Sequence, residues 1–301
     1  MPGTTSAADI EFHYDVGNDF YALWLDETLA YSAARWDGIG RDESEDAALA
    51  RAQRAKFAYH LDLAKAPLDG GANGFRLLDV GCGWGGLLDH AVGTGRVAQA
   101  TGLTLSRAQF DHVRATARPG VQVALRSWEA HRPAEPYDGI VSVGAFEHFV
   151  TSSTPEGERV GAYRSYFERC HDLLRPGGSM SLQTIAYDGV AGQLGPVGSF
   201  VTGDIFPGGT LPRLAEITAA CDPYFAVRVL HSSADDYART LEVWSARLAR
   251  TRGEAEALVG SEVVRRYRLY LRACRAIFAR GAATLYRIGL ERRAEPLVLS
   301  C

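Results

Sequence analysis

The segment best equipped for chemistry is Leu77–Leu87, LLDVGCGWGGL, in which Gly81, Gly83 and Gly86 follow the G-x-G-x-x-G spacing. The glycines lie between an apolar run and a helical one. There, the lack of a Cβ lets backbone approach a nucleotide-like ligand closely. Three readings compete. A dinucleotide would set its pyrophosphate on the helix N-terminus. S-adenosylmethionine has no phosphate and carries cationic amino and sulfonium groups. A tight strand-to-helix turn would need no ligand at all. Asp79, just before the first glycine, favours S-adenosylmethionine, because a carboxylate attracts that cationic end and repels a pyrophosphate. Trp84 inside the loop also crowds a diphosphate path.

These groups need a scaffold. Arg76–Val80 predicts a short strand, and Leu87–Val92 the helix behind the glycines. Val97–Leu103, Val121–Arg126, Gly139–Val143 and Ser179–Ile185 predict further strands, with helices over 107–117 and 158–174. Continuous apolar strands alternating with helices mean a parallel sheet with helices on both faces. Residues 225–231 and Leu297–Leu299 are expected as sixth and seventh strands, with 234–290 helical between them. Upstream, Ala47, Leu49, Ala52, Phe57, Leu61 and Leu63 recur at helical spacing over 43–66, and Pro67, Gly70, Gly71 and Gly74 end that run. Residues 10–40 carry Phe12, Tyr14, Phe20, Tyr21, Trp24, Tyr31 and Trp36, which predict short helices and turns packed on another layer. Residues 188–212 hold seven glycines and three prolines, the composition of a lid or connection.

Composition narrows the class. The chain has 301 residues, 47% of them hydrophobic and 23% charged, which excludes disordered and fibrous chains. A net charge of −4 argues against general nucleic-acid binding, which depends on neutralising phosphates. Lys56 and Lys65 are the only lysines, so Arg supplies 30 of the 32 basic residues. Cys82, Cys170, Cys221, Cys274 and Cys301 are odd in number and lack CxxC spacing, which argues for a reducing compartment and against structural zinc. With no signal-peptide pattern and no apolar run of membrane-spanning length, the expectation is a cytoplasmic chain without a transmembrane segment. Peripheral membrane contact stays open, and nothing indicates an oligomeric state.

The glycine loop, together with GLTLSRAQ (102–109), YDGIVSVGAFEHF (137–149), LLRPGGSMSLQTI (173–185), IFPGGTLP (205–212) and DYARTLEVW (236–244), resembles the cyclopropane fatty acid synthase family. That family includes mycolic acid cyclopropane synthases and related C- and N-methyltransferases. HYDVGNDFYALWLDETLAYS (13–32) is similar to its opening segment. The resemblance implies a class I methyltransferase, Rossmann-like fold. Its sheet is seven-stranded and mostly parallel, with the last strand antiparallel. It further implies one domain over 1–301: an aromatic cap segment at 10–40, a cofactor-binding core at 76–187, and a lid with a helical acceptor-binding cap at 188–290. S-adenosylmethionine is the implied cofactor. Tyr31 and Ser32 are expected over its methionine part, with Asp79, Gly81, Gly83, Gly86 and Val143 lining it. Thr104, Leu105 and Gln109 are expected near ribose and adenine, and Trp128 and Glu129 at the adenine site.

The resemblance also frames the chemistry. A sulfonium methyl is already electrophilic, so the protein must align the nucleophile and exclude water. If the nucleophile is an alkene carbon, methyl addition leaves a carbocation that carboxylates and aromatic faces stabilise. Proton loss from the new methyl closes a cyclopropane, whereas loss from a neighbouring carbon leaves a methylated alkene. In cyclopropane synthases the implied base is bicarbonate, held by a Cys, the Glu of FEH, a His and a Tyr. This chain keeps Glu147 and Tyr237 but has Ala33 and Gln183 at the other two positions. Bicarbonate is therefore doubtful, and Glu147, His148, Tyr237 and Gln183 are the candidate catalytic residues. Plain packing roles for His148 and Tyr237, and a buried Glu147 that only orients His148 or backbone amides, remain alternatives. The expected acceptor is lipid-like, fatty-acyl or isoprenoid. Alternatives are a bicarbonate-using cyclopropane synthase, an N-methyltransferase of a small amine, and a non-enzymatic cofactor-binding assembly module. Tyr267, Tyr270, Leu271, Cys274, Ile277 and Phe278 form a helix stripe that suits either core or an acceptor tunnel. Arg265, Arg266, Arg268 and Arg272 suit a solvated face or an anionic headgroup.

Overall fold

The computed structural model describes residues 16–40, 43–68, 74–188 and 210–297. Phe12, Tyr14 and the whole HYD of the opening segment, the glycine-rich stretch 189–209 and residues 298–301 lie outside these. After a short helix α1 (Asn18–Ala22), α2 (Glu45–Leu63) starts where the Ser44 side chain accepts from the Ala47 N–H. The alternation then runs β1 (Arg76–Val80), α3 (Gly86–Gly93), β2 (Gln99–Thr104), α4 (Arg107–Thr116), β3 (Val121–Leu125) and β4 (Tyr137–Val143). A 3-10 turn (Phe146–His148) leads to α5 (Glu156–Leu173) and β5 (Leu174–Tyr187). The remainder is α6 (Leu214–Cys221), β6 (Phe225–Ser232), α7 (Ala234–Arg250), α8 (Arg252–Val259), α9 (Ser261–Ala279) and β7 (Ala283–Arg292).

The strands form one seven-stranded sheet in the order β3-β2-β1-β4-β5-β7-β6. β1 to β5 pair in parallel, and β7 runs antiparallel to both β5 and β6. This is the seven-stranded, mostly parallel sheet of the class I methyltransferase fold. Alternate strand residues explain the two covered faces. Leu78, Val80, Ile140, Met180 and Leu182 pack against Tyr163, Phe167 and Leu173 of α5 and Ile217 of α6. Leu77 and Val141 point the other way, onto Phe57 and Leu61 of α2 and Leu88 and Ala91 of α3. A third cluster joins α1, α7, α8 and α9: Phe20, Tyr21 and Trp24 pack with Trp244, Tyr267, Leu271 and Phe278. The aromatic opening segment and the α9 stripe thus share one core.

One expectation fails. The seventh strand is Ala283–Arg292, not Leu297–Leu299, so 283–290 is not helical. Leu297 is a loop residue whose N–H donates to the Pro223 carbonyl, and 298–299 lie outside the described residues. The helix stops at Gly281, whose φ of +66° suits glycine and breaks the α9 conformation. The strand was hidden by a charge at its centre. Arg287 is fully buried because Asp236 and several oxygens satisfy its guanidinium.

Candidate active site

At the C-terminal ends of β1, β2 and β4 the loops leave a cavity of about 1240 Å³, including the solvent at its mouth. Small-molecule sites collect at this edge of parallel sheets. Gly81, Gly83, Trp84 and Gly86 form one wall. Gly81 has φ +85°, and a Cβ there would lie 2.5 Å from the Ala145 Cβ, so the loop cannot carry a side chain at this position without moving. The Trp84 indole N–H donates to Asn18 Oδ1 at 2.8 Å, tying the loop to the cap. Every residue assigned to the cofactor lines this one cavity: Tyr31, Ser32, Asp79, Gly81, Gly83, Gly86, Thr104, Leu105, Gln109, Trp128, Glu129 and Val143. Gln109 is fixed from within, its Oε1 accepting from the Thr104 hydroxyl at 2.8 Å. Trp128 is braced edge-on by Tyr166 at 5.2 Å.

The segment 28–32 runs as a strap along the cavity wall and is fastened to α2. Gln53 donates to the carbonyls of Ala30 and Ser32, and one turn on Lys56 Nζ donates to Ser32 Oγ at 2.7 Å. Asp26 holds the start of the segment through the Thr28 hydroxyl and N–H. Lys56 also lines the cavity and is buried. Burial pulls its ammonium down to about 7, against the attraction of Asp26 and Asp79. Burial likewise pushes the Asp79 carboxyl up, opposed by Lys56. Asp79 Oδ1 has no hydrogen-bond partner, so one carboxylate oxygen is left for a ligand group. Asp26, Lys56, Arg126 and Ser127 were not singled out for the site from the sequence. The one available hint was Lys56 as one of two lysines in an arginine-dominated chain.

The four catalytic candidates are not brought together on the cavity wall. His148 lines it, and burial drives its imidazole down to about 4, so it is neutral at pH 7. Glu147 stands behind that wall in the 3-10 turn. Its Oε1 accepts from the Ile185 N–H at 2.6 Å, and its buried Oε2 has no partner. Burial lifts this carboxyl to about 7. Tyr237 is buried in the cap core against Phe278, ring centroids 4.6 Å apart, with Trp244 edge-on. Gln183 faces α2 and β7. Its Oε1 takes the Arg287 Nε–H at 2.8 Å and lies 3.2 Å from His60 Nε2. Arg287 in turn donates to Ser233, Asp236 and the Ala34 carbonyl. His60, pushed down to about 3 chiefly by burial, is neutral and contacts Ser181 Oγ through Nδ1. This network was not legible in the sequence. Ala33 offers no polar side-chain atom, and Gln183 Oε1 already accepts from Arg287, which leaves only its neutral amide N–H groups as donors.

The cavity does fit S-adenosylmethionine. It is large enough, its glycine wall is open at Gly83, and Asp79, with one carboxylate oxygen unpartnered, belongs to its lining, where it suits a cationic group. Among the described residues no helix is long and apolar enough to cross a membrane. The sequence model of the family described as mycolic acid cyclopropane synthetase matches residues 3–288. The S-adenosylmethionine-dependent methyltransferase UmaA of Mycobacterium tuberculosis is 36% identical over 297 residues, covering 93% of this chain and 95% of that protein. Cyclopropane mycolic acid synthase 2 of Mycobacterium leprae is 36% identical, covering 89% of this chain and 88% of that protein. The crystal structure of mycolic acid cyclopropane synthase CmaA1 complexed with SAH and CTAB superposes with a TM-score of 0.81 at 32% identity, over 97% of this chain and 99% of that one. Matched in sequence and fold over most of its length, the chain belongs to the mycolic acid cyclopropane synthetase family of S-adenosylmethionine-dependent methyltransferases.

Proposed function

We propose that this enzyme methylates an alkene carbon of a lipid-like acceptor, fatty-acyl or isoprenoid, and releases a methylated alkene rather than a cyclopropane. The observation that carries this is the pair of changes at positions 33 and 183 with Glu147 kept. Glu147 Oε2 is buried without a hydrogen-bond partner, while Ala33 removes a side chain that could hold bicarbonate and Gln183, engaged by Arg287, is neutral where a histidine could be cationic.

Bound S-adenosylmethionine supplies the electrophilic methyl, which an alkene takes up to leave a carbocation on the acceptor. Of the residues lining the cavity, Tyr31, Ser32 and the glycine wall would hold the methionine part, Asp79 would meet its cationic end, and Trp128 and Glu129 would border the adenine. The aromatic cap core excludes water from the acceptor side. Glu147, directly behind the cavity wall, would stabilise the cation and, where the acceptor reaches its buried Oε2, take a proton from the carbon next to it, the C–H bonding pair becoming the new double bond. His148, neutral at pH 7, shapes the wall without adding charge.

A second reading, cyclopropane closure, is favoured by the family match and by the presence of both Glu147 and Tyr237. The test is incubation with methyl-labelled S-adenosylmethionine and alkene-bearing acyl or isoprenoid acceptors, with and without bicarbonate. We expect label on carbon in a product that keeps its alkene, at a rate indifferent to bicarbonate. A product that has lost the alkene, formed faster with bicarbonate, gives the second reading. Label on nitrogen alone overturns both.

A further inference from the structure

Lys56 is an unusual member of a wall meant for a cationic ligand. It lies in the middle of α2, fully packed, with its Nζ on the same cavity as Asp79. Its one hydrogen bond among the described residues goes to a neutral hydroxyl, Ser32 Oγ, and no ion pair of Lys56 is found among them. The charged groups that face it are Asp26 from the segment before the strap, Asp79 from β1 and Arg287 from β7. Asp26, the stronger attraction on Lys56, does not line the cavity, and Arg287 is paired with Asp236. Asp79 lines the cavity with Lys56, so it is the carboxylate that Lys56 shares with whatever enters. A sulfonium beside a protonated Lys56 places two cations in one enclosure of low dielectric, with Asp79 as the shared counter-ion.

Taking S-adenosylmethionine as the cofactor, we infer that Lys56 is the charge balancer of this cavity: it gives up its ammonium proton to solvent when the cationic sulfonium ligand binds, and keeps it when the neutral thioether product occupies the same place. Methyl transfer removes one positive charge from the cofactor, so Lys56 regains a proton as product forms. The N–H that holds Ser32 survives in both states, because a neutral amine still donates. The strap along the cavity wall is therefore fastened throughout, while the charge beside it follows the ligand.

The consequence is a proton count that differs between two ligands of nearly the same shape. Lys56 is pulled down to about 7, so the free protein carries the proton below that pH and has lost it above. Below pH 7 the sulfonium ligand should lose affinity relative to the thioether by up to about tenfold for each pH unit, and above pH 8 the ratio should level off. The experiment is isothermal titration of the full chain with S-adenosylmethionine and with S-adenosylhomocysteine, each at pH 6.5 in two buffers of different ionisation enthalpy. We expect the sulfonium ligand to release more protons than the thioether, by up to about one per site. In Lys56→Met the difference should vanish while the thioether still binds, which also reports that the variant is folded. In Lys56→Arg the difference should vanish as well, because a guanidinium keeps its proton. Equal proton release by both ligands in the wild type overturns the inference. So does a difference that persists in Lys56→Met, since Asp79 would then be the titrating group. Failure of both ligands to bind the wild type overturns the cofactor reading of the cavity, and the inference with it.

Discussion

Replacing Glu147 by Gln should make the protein more stable and nearly inactive at the same pH. The carboxyl is buried, and its Oε1 accepts from the Ile185 N–H, a bond that a Gln Oε1 can keep. Burial raises the group from the ordinary 4.5 to about 7. Each tenfold change in proton affinity is about 1.4 kcal/mol, so ionising Glu147 in the folded state costs about 3 kcal/mol above pH 7 relative to an exposed carboxylate. The sign follows. A raised folded value gives stability that is present below pH 4.5 and is lost as pH climbs through 7. Glu147→Gln removes that loss, so at pH 8 it should melt later than wild type by about 5 °C or more for a chain this size. At pH 4.5, where Glu147 is already neutral, the two should melt together. Activity moves the other way: the amide cannot take a proton, and methyl transfer should fall by about 10²-fold or more. In the wild type the rate should fall as pH drops through about 7, because only the ionised carboxylate serves. Thermal melts at both pH values and label transfer across the pH range decide it. Full turnover in Glu147→Gln, or a variant that melts no later at pH 8, refutes the account.

Two further perturbations probe the scaffold. Gly81→Ala must fit a Cβ 2.5 Å from that of Ala145 at φ +85°, so it should cost about 1–3 kcal/mol and weaken S-adenosylhomocysteine binding; unchanged melting and affinity would refute the close approach. Arg287→Met leaves Asp236 nearly buried without its counter-ion, so urea denaturation should show a loss of about 3–5 kcal/mol, and a loss under about 1 kcal/mol would refute the role of this pair.

The parts of the molecule that could be read from its sequence are those whose physics is local. The strand, the glycine loop and the helix after it all lie within residues 76–93, and their spacing alone dictates the turn. Lys56, His60 and Arg287 escaped because their meaning is long-range. A lysine and a histidine one turn apart on a helix look like a solvated face until Ser32, Ser181 and Gln183 are brought over them. Arg287 is 104 residues from Gln183 and 253 from Ala34, and only those contacts make a charged residue tolerable in the middle of a strand. The same charge is why β7 reads as a continuation of α9. Gly281 and the run Thr284-Leu285-Tyr286, rich in strand-forming side chains, were the signal available against that reading.

The two carboxylates at the sheet edge face the same physical problem with different partners. Asp79 lies near the end of β1 and Glu147 follows β4, neighbours in the sheet, and burial raises both. Asp79 has Lys56 within coulombic reach, so its charge is balanced whether or not a cationic ligand is present. No cation acts on Glu147 to offset its burial; what opposes it is hydrogen bonding at Ile185 and Thr184 and within its own residue. Such a carboxylate is costly to ionise at rest and becomes favourable when a positive charge forms beside it. That is the property a cation-stabilising base needs, since its stabilisation is then concentrated in the charged transition state rather than spent on the resting acceptor. Giving Glu147 a permanent cationic neighbour would lower its proton affinity and stabilise the resting site, and by the same argument would slow the reaction.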